Sequence, residues 1–162
     1  MNDEWGTPDW VFELAQDNIE SPFGFDAACN KENCLVPEQE TFGDLLLVSW
    51  YDELRKFEKE VELICHNSDP VVWCNPPYSR GKIDAFIDKA LYEARENSVR
   101  SVFLVRHDPT TKWFKKAFKS GYCDIYMIPK RIKFKGADNT YPFPNCFIHF
   151  KAKDNNGRVA YV

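Results

Sequence analysis

Val71-Val72-Trp73-Cys74-Asn75-Pro76-Pro77-Tyr78 sets an unbroken apolar run directly against a stiff turn. Four apolar residues without polar alternation are the pattern of a strand covered on both faces, as in parallel sheets. The prolines restrict φ and remove two backbone donors, so the turn is rigid and its carbonyls can face a ligand. Beyond it, Ile83, Phe86, Ile87, Ala90, Leu91 and Ala94 recur at i, i+3, i+4 spacing, and Ser101-Val102-Phe103-Leu104-Val105 reads as the next strand. Strand, helix and strand make a βαβ unit. It places Asn75 to Tyr78 at the carboxyl end of a strand, the edge at which open α/β sheets bind ligands.

The same alternation continues on either side. Thr7 reads as an N-cap with Pro8 at the first helical position, followed by Val11, Phe12, Leu14, Ala15 and Ile19 at helical spacing. Phe23-Gly24-Phe25-Asp26 reads as a short buried strand ending on an acid. Helical turns near 44–58 and a strand near 61–66 are weaker signals. Trp113, Phe114, Ala117 and Phe118 mark a helix ended by Gly121, then come a strand at 124–128, a loop from Pro129 to Pro144, a strand at 146–150 and a closing segment at 159–162. The expectation is one domain over residues 1–162, a three-layer α/β fold with a mostly parallel sheet and antiparallel strands at its end.

Composition excludes several classes. Hydrophobic residues make up 44% and aromatics 15% of the chain, ample for a core, so disorder is expected only at the ends. No apolar stretch reaches the length of a membrane span, and Met1-Asn2-Asp3-Glu4 is acidic where a signal peptide is basic; the expectation is a cytosolic protein. Cysteines 29, 34, 65, 74, 123 and 146 show no CxxC spacing and are expected as reduced core thiols, with no metal site. His66, His107 and His149 form no ligand pattern either; packing or solvent contact is the expectation for His107 and His149.

The chemistry of the turn is that of an amino group conjugated to a ring or carbonyl. Such a nitrogen is a poor nucleophile because its lone pair is delocalised. Two adjacent acceptors, the Asn75 side-chain oxygen and the Pro76 carbonyl, can hydrogen-bond both N–H groups, favour an sp³-like nitrogen aimed at a methyl donor and stabilise its developing positive charge. Pro77 stiffens the turn, and Tyr78 offers a ring for base stacking. A base in a duplex would first have to be flipped out. Asn, Pro and aromatic residues also end ordinary strands, but the strand before the turn and the helix after it favour a ligand site.

Charge is unevenly spread. Residues 1–62 hold sixteen Asp or Glu against four Lys or Arg, a net −12, and the remainder hold nine against seventeen, a net +8. The basic stretch contains Lys112, Lys130, Arg131, Lys133 and Lys135, with Ile132 and Phe134 interleaved among the last four. A stripe of this kind can follow a phosphate backbone, which makes residues 129–145 a candidate DNA-contacting loop. The helical lysines fit a solvated helix face equally well.

Several motifs fall in one order: Trp5-Gly6-Thr7-Pro8, Phe23-Gly24-Phe25-Asp26-Ala27-Ala28, Trp73-Cys74-Asn75-Pro76-Pro77-Tyr78-Ser79, Thr111-Lys112-Trp113-Phe114 and Arg131-Ile132-Lys133-Phe134. From about residue 3 to about 150 the chain resembles the phage-type, or Dam-type, DNA N6-adenine methyltransferases of phages and prophages. The resemblance implies a Rossmann-like fold, S-adenosylmethionine as methyl donor, double-stranded DNA with a flipped-out adenine as acceptor, and the host cytoplasm as location. It implies donor contacts for Trp5, Thr7, Pro8, Asp26, Ala27, Asp44 and Asn75, with Asp26 suited to the donor's ammonium or a ribose hydroxyl. Catalytic roles would fall to Asn75, Pro76, Pro77 and Tyr78, with no metal. Two departures stand out: Arg106-His107-Asp108-Pro109 replaces a segment of Pro-Ala-Arg-Thr character, and no glycine-rich loop follows Asp26. Cytosine N4, a protein glutamine amide, or binding without turnover are the alternatives that the residues leave open.

Overall fold

Every residue of Val71–Cys74 is buried, which requires a strand on each side and a layer over each face. The structure, a computed structural model, describes residues 5–61, 69–79, 81–153 and 159–162. Its helices are α1 (Asp9–Ile19), α2 (Trp50–Val61), α3 (Lys82–Asn97) and α4 (Lys112–Lys119). Its strands are β1 (Phe23–Asp26), β2 (Ala28–Cys29), β3 (Gly43–Asp44), β4 (Val71–Cys74), β5 (Ser101–Arg106), β6 (Cys123–Met127), β7 (Asn145–Phe150) and β8 (Val159–Tyr161). Six strands form one sheet in the order β1-β4-β5-β7-β6-β8, while β2 and β3 make a separate antiparallel pair.

The fold is mixed α/β with a mostly parallel sheet. Strands β1, β4 and β5 run parallel, and β8 runs parallel to β6. The antiparallel member is β7, inserted between β5 and β6. Antiparallel pairing therefore lies inside the sheet and not at its end: the 128–144 segment carries the chain from β6 back into the gap beside β5, where β7 bonds to both. The strand expected near 61–66 lies outside the described residues except for Val61, which ends α2. The basic loop stops at Pro144, since Asn145 is a buried β7 residue paired with Arg106.

Alternating side chains divide the core into two faces. Val72, Cys74, Phe103, Val105, Cys146, Ile148 and Phe150 pack with Trp50 and Leu54 of α2, Ile83, Phe86 and Ile87 of α3, and Trp113 and Phe114 of α4. Val71, Trp73, Val102, Leu104 and Phe147 pack with Val11 and Ala15 of α1 and with Ile132, Phe134 and Tyr141. The steps β1 to β4 to β5 to β6 all advance in one direction across the sheet. Crossovers of one hand then put all three connecting helices on the same face, leaving the other to α1 and the basic loop. A register shift between Phe23 and Phe25 sends these two residues, which an unbroken strand would point the same way, to opposite faces.

Local chemistry secures the helices. Glu93 of α3 is buried; it accepts from the Trp50 N–H at 3.1 Å, pairs with Lys89 at 2.7 Å and accepts from Asn97 at 2.8 Å. It thus satisfies a donor at the start of α2 and joins two helices. Pro8 is the N-cap of α1, with ψ 146° and no side-chain cap bond, so the helix begins one residue later than the sequence suggests and Thr7 is released from capping. No helix among the described residues is long and apolar enough to cross a membrane.

Candidate active site

Because β1, β4 and β5 are parallel, Asp26, Asn75 and Arg106 emerge at the same sheet edge. A polar cleft at that edge is lined by Trp5, Gly6, Thr7, Asp26, Ala28, Asn33, Leu35, Trp73 and Asn75. Trp5, Thr7, Asp26 and Asn75, separated by up to 70 positions, come together in this cleft. Pro8 caps α1 beside this group. Ala27 is fully buried, its N–H donating to the Trp73 carbonyl at 2.9 Å, so its side chain serves the core. Asp44 stands exposed on β3 and pairs with Lys82 at 2.7 Å.

Asn75 donates through Nδ2 to the Trp5 carbonyl at 3.5 Å. A carbonyl can only accept, so this contact orients the amide and turns Oδ1 the other way. Oδ1 is buried and has no hydrogen-bond partner among the described residues. Pro76 and Pro77 are buried. The Tyr78 hydroxyl accepts from the Arg106 main-chain N–H at 2.7 Å, and its ring meets Trp113 edge to face, with centroids 6.4 Å apart. Burial raises the Tyr78 hydroxyl far above its ordinary range, so it stays neutral and acts as a positioned ring.

Asp26 ends β1, which is the edge of the sheet among the described residues, so its outer main chain has no strand partner there. Gln39 supplies one: its amide oxygen accepts from Asp26 N at 2.6 Å and its nitrogen donates to Asp26 O at 2.8 Å. The carboxylate accepts from the Ala28 and Leu35 N–H groups, each at 3.3 Å. Burial outweighs those two bonds and raises the carboxyl from 3.8 to about 7. A buried acid of this kind is suited to a cationic or hydroxyl-bearing ligand.

A family model described as DNA N-6-adenine-methyltransferase (Dam) matches residues 1–146. The chain belongs to this family. The DNA N-6-adenine-methyltransferase of Haemophilus phage HP1 (strain HP1c1) is 27% identical over 137 residues, which cover 82% of this chain and 66% of the phage protein. The chain thus spans just under two thirds of the length of that Dam relative.

Other expectations on this Dam chain resolve residue by residue. Lys130 lies over the Trp10 ring at 4.1 Å and Lys135 pairs with Asp9, so both cations turn toward α1. Lys112, Arg131 and Lys133 are exposed, while Ile132 and Phe134 between the charges are buried. The whole segment is tied to the cleft by the Gly6–Lys135 bridge and by Trp5 stacked on Phe134 at 6.1 Å. Cys29, Cys74, Cys123 and Cys146 are buried free thiols and Cys34 is half-buried; Cys65 and His66 lie outside the described residues. His149 is buried and held down to about 4, by burial and then by the neighbouring Arg100; His107 packs edge to face on Phe114.

Two groupings escaped the sequence reading. The ligand atoms of Asp26, Cys29 and Cys34 lie within 4.8 Å of one another, brought together by a loop whose spacing matches no metal motif. Arg106 stands beside Tyr78 with its side chain paired to Asp108 and lying over Phe143 at 5.1 Å. The signal that could have found Arg106 is the departure at 106–109.

Proposed function

We propose that this chain transfers a methyl group from S-adenosylmethionine to adenine N6 in double-stranded DNA, with the target base flipped into the edge between β4 and β5. The observation that carries the reading is Asn75 Oδ1, a buried acceptor without a partner among the described residues. An unmatched buried polar atom costs about 1–3 kcal/mol, and a substrate N–H offsets it.

Asp26, Thr7 and Trp5 line the cleft that would hold the donor, and the buried Asp26 carboxyl fits a group bearing positive charge or hydroxyls. The donor, when bound, supplies an electrophilic methyl. Asn75 Oδ1 accepts one amino N–H and the Pro76 carbonyl the other, which localises the nitrogen lone pair and stabilises the positive charge that grows on nitrogen. Tyr78, fixed through its hydroxyl and against Trp113, gives the base a flat partner. Held this way, the nitrogen is aligned for in-line displacement, and much of the acceleration comes from alignment. The exposed cations of the 129–144 segment and Lys112 lie along the DNA backbone in this reading.

The same reading extends to the fold, a Rossmann-like three-layer arrangement in which α1 and the basic loop stand in for the helices of the second outer layer. It also extends to origin and place, a phage or prophage enzyme acting in the host cytoplasm. The test is incubation with radiolabelled-methyl S-adenosylmethionine and unmethylated genomic DNA, then nucleoside digestion and mass identification. N6-methyladenine is the expected product. N4-methylcytosine would move the acceptor, and no methylated nucleoside despite donor binding would overturn the activity.

A further inference from the structure

Arg106 ends β5, so within the β1-β4-β5 order it lies on the side of Asn75 away from Asp26. The donor candidates cluster at β1 and β4, which leaves the β5 side to the nucleic acid. The main-chain N–H of Arg106 is bonded to the Tyr78 hydroxyl. A nucleotide delivered to Tyr78 therefore brings its flanking phosphates close to this residue.

The side chain is already built into a fixed fork. Nη2 is held by Asp108, and the guanidinium carbon lies 5.1 Å from the centroid of the half-exposed Phe143 ring, which itself meets Tyr141 edge to face at 5.5 Å. Nε is buried and has no acceptor among the described residues. The geometry points to an anion-gripping site: we propose that Arg106 binds the phosphate flanking the flipped nucleotide. The proposal rests on the DNA methyl-transfer reading above.

Three features favour phosphate over other acceptors. A planar guanidinium with spare donors matches a phosphate in two-pronged fashion. Its restraint by Asp108 and Phe143 means little ordering is left to do on binding. Its place at the end of β5 is beside the base-receiving turn, whereas the exposed Arg131 and Lys133 lie on the loop that covers the opposite face of the sheet from α3 and α4.

The experiment begins with wild-type protein and a duplex carrying an adenine that it methylates. If no adenine is methylated, the activity reading fails and the proposal with it. Given transfer, R106Q, which keeps the main-chain bond to Tyr78, is expected to lower kcat/KM for DNA by about 10–100-fold with an unchanged KM for S-adenosylmethionine. The salt slope of DNA binding should fall by about one. A single neutral methylphosphonate beside the target should weaken wild type at one position and leave R106Q indifferent there. Should R106Q fold poorly, R106K, which keeps the charge but loses the fork, carries the kcat/KM comparison. Losses that add at every methylphosphonate position would overturn the proposal, as would a raised donor KM, which would assign the guanidinium to the donor's carboxylate.

Discussion

Replacing Asn75 with Ala removes the one acceptor that the amide offers to a substrate and loses only a 3.5 Å contact to Trp5. Loss of a single preorganised group of this kind lowers the chemical step by about 10²–10³-fold. Single-turnover methyl transfer is expected to fall by that much with donor affinity and thermal midpoint nearly unchanged; wild-type turnover in N75A would sink the mechanism. Asp26 makes a pH prediction. Its carboxyl is at 3.8 when unfolded and about 7 when folded, so between those values the native state holds the extra proton. Its contribution to stability is therefore full below 3.8 and lost as pH rises through about 7. Urea unfolding at pH 5 and pH 8 should show that loss in wild type and not in D26N. A cationic donor favours the ionised carboxylate, so donor affinity should climb from pH 6 to pH 8 in wild type and stay level in D26N. A level profile in both would remove Asp26 from donor binding.

At the scale of elements, α2 packs closely against β1 at Gly24. A Cβ on Gly24 would stand 2.7 Å from Cδ1 and 2.9 Å from Cγ of the Phe57 ring, and 3.0 Å from Cβ of Pro70. Neither ring can yield without moving helix α2, which carries Phe57, or the chain entering β4 at Pro70. Gly24→Ala is therefore expected to cost about 1–3 kcal/mol, read as a lower urea midpoint. The paired change G24A with Phe57→Leu, which removes the crowding ring, should recover part of that loss. Stability of G24A equal to wild type would mean that α2 sits less closely on β1 than described. The same junction explains why the 44–58 stretch was faint in the sequence: α2 is positioned by Glu93 of α3 at one end and by contact with β1, and neither partner is local.

Across the whole molecule, the +8 and −12 halves are not separate regions. The basic loop folds back on the acidic α1, and Lys130 and Lys135 are occupied by Trp10 and Asp9. The salt dependence of DNA binding should consequently divide. Neutralising Arg131 and Lys133 to Gln is expected to reduce the slope of log K against log salt by about two, at roughly 0.9 per phosphate. Neutralising Lys130 and Lys135 should change it less and should instead loosen the loop from α1. Equal slopes for both double variants and wild type would assign the whole stripe to solubility.

The strand and helix periods, the Asn75 to Tyr78 turn and the edge on which it sits were legible from the chain alone, because burial on two faces, proline stiffness and helical spacing are written locally. Ordered motifs such as Phe25-Asp26-Ala27 and Trp73-Cys74-Asn75 also carried the family. Tertiary structure alone decided the rest. It inserted β7 between β5 and β6, since strand partners are chosen by sheet hydrogen bonds between distant segments. It joined Gln39 to the outer edge of β1, turned half of the basic stripe toward α1, and left Asn75 Oδ1 without a partner among the described residues. It also set Arg106 against Tyr78, 28 positions away. Each of these depends on which groups meet across long loops, and a charge or an amide shows in sequence only that it can bond, never to what.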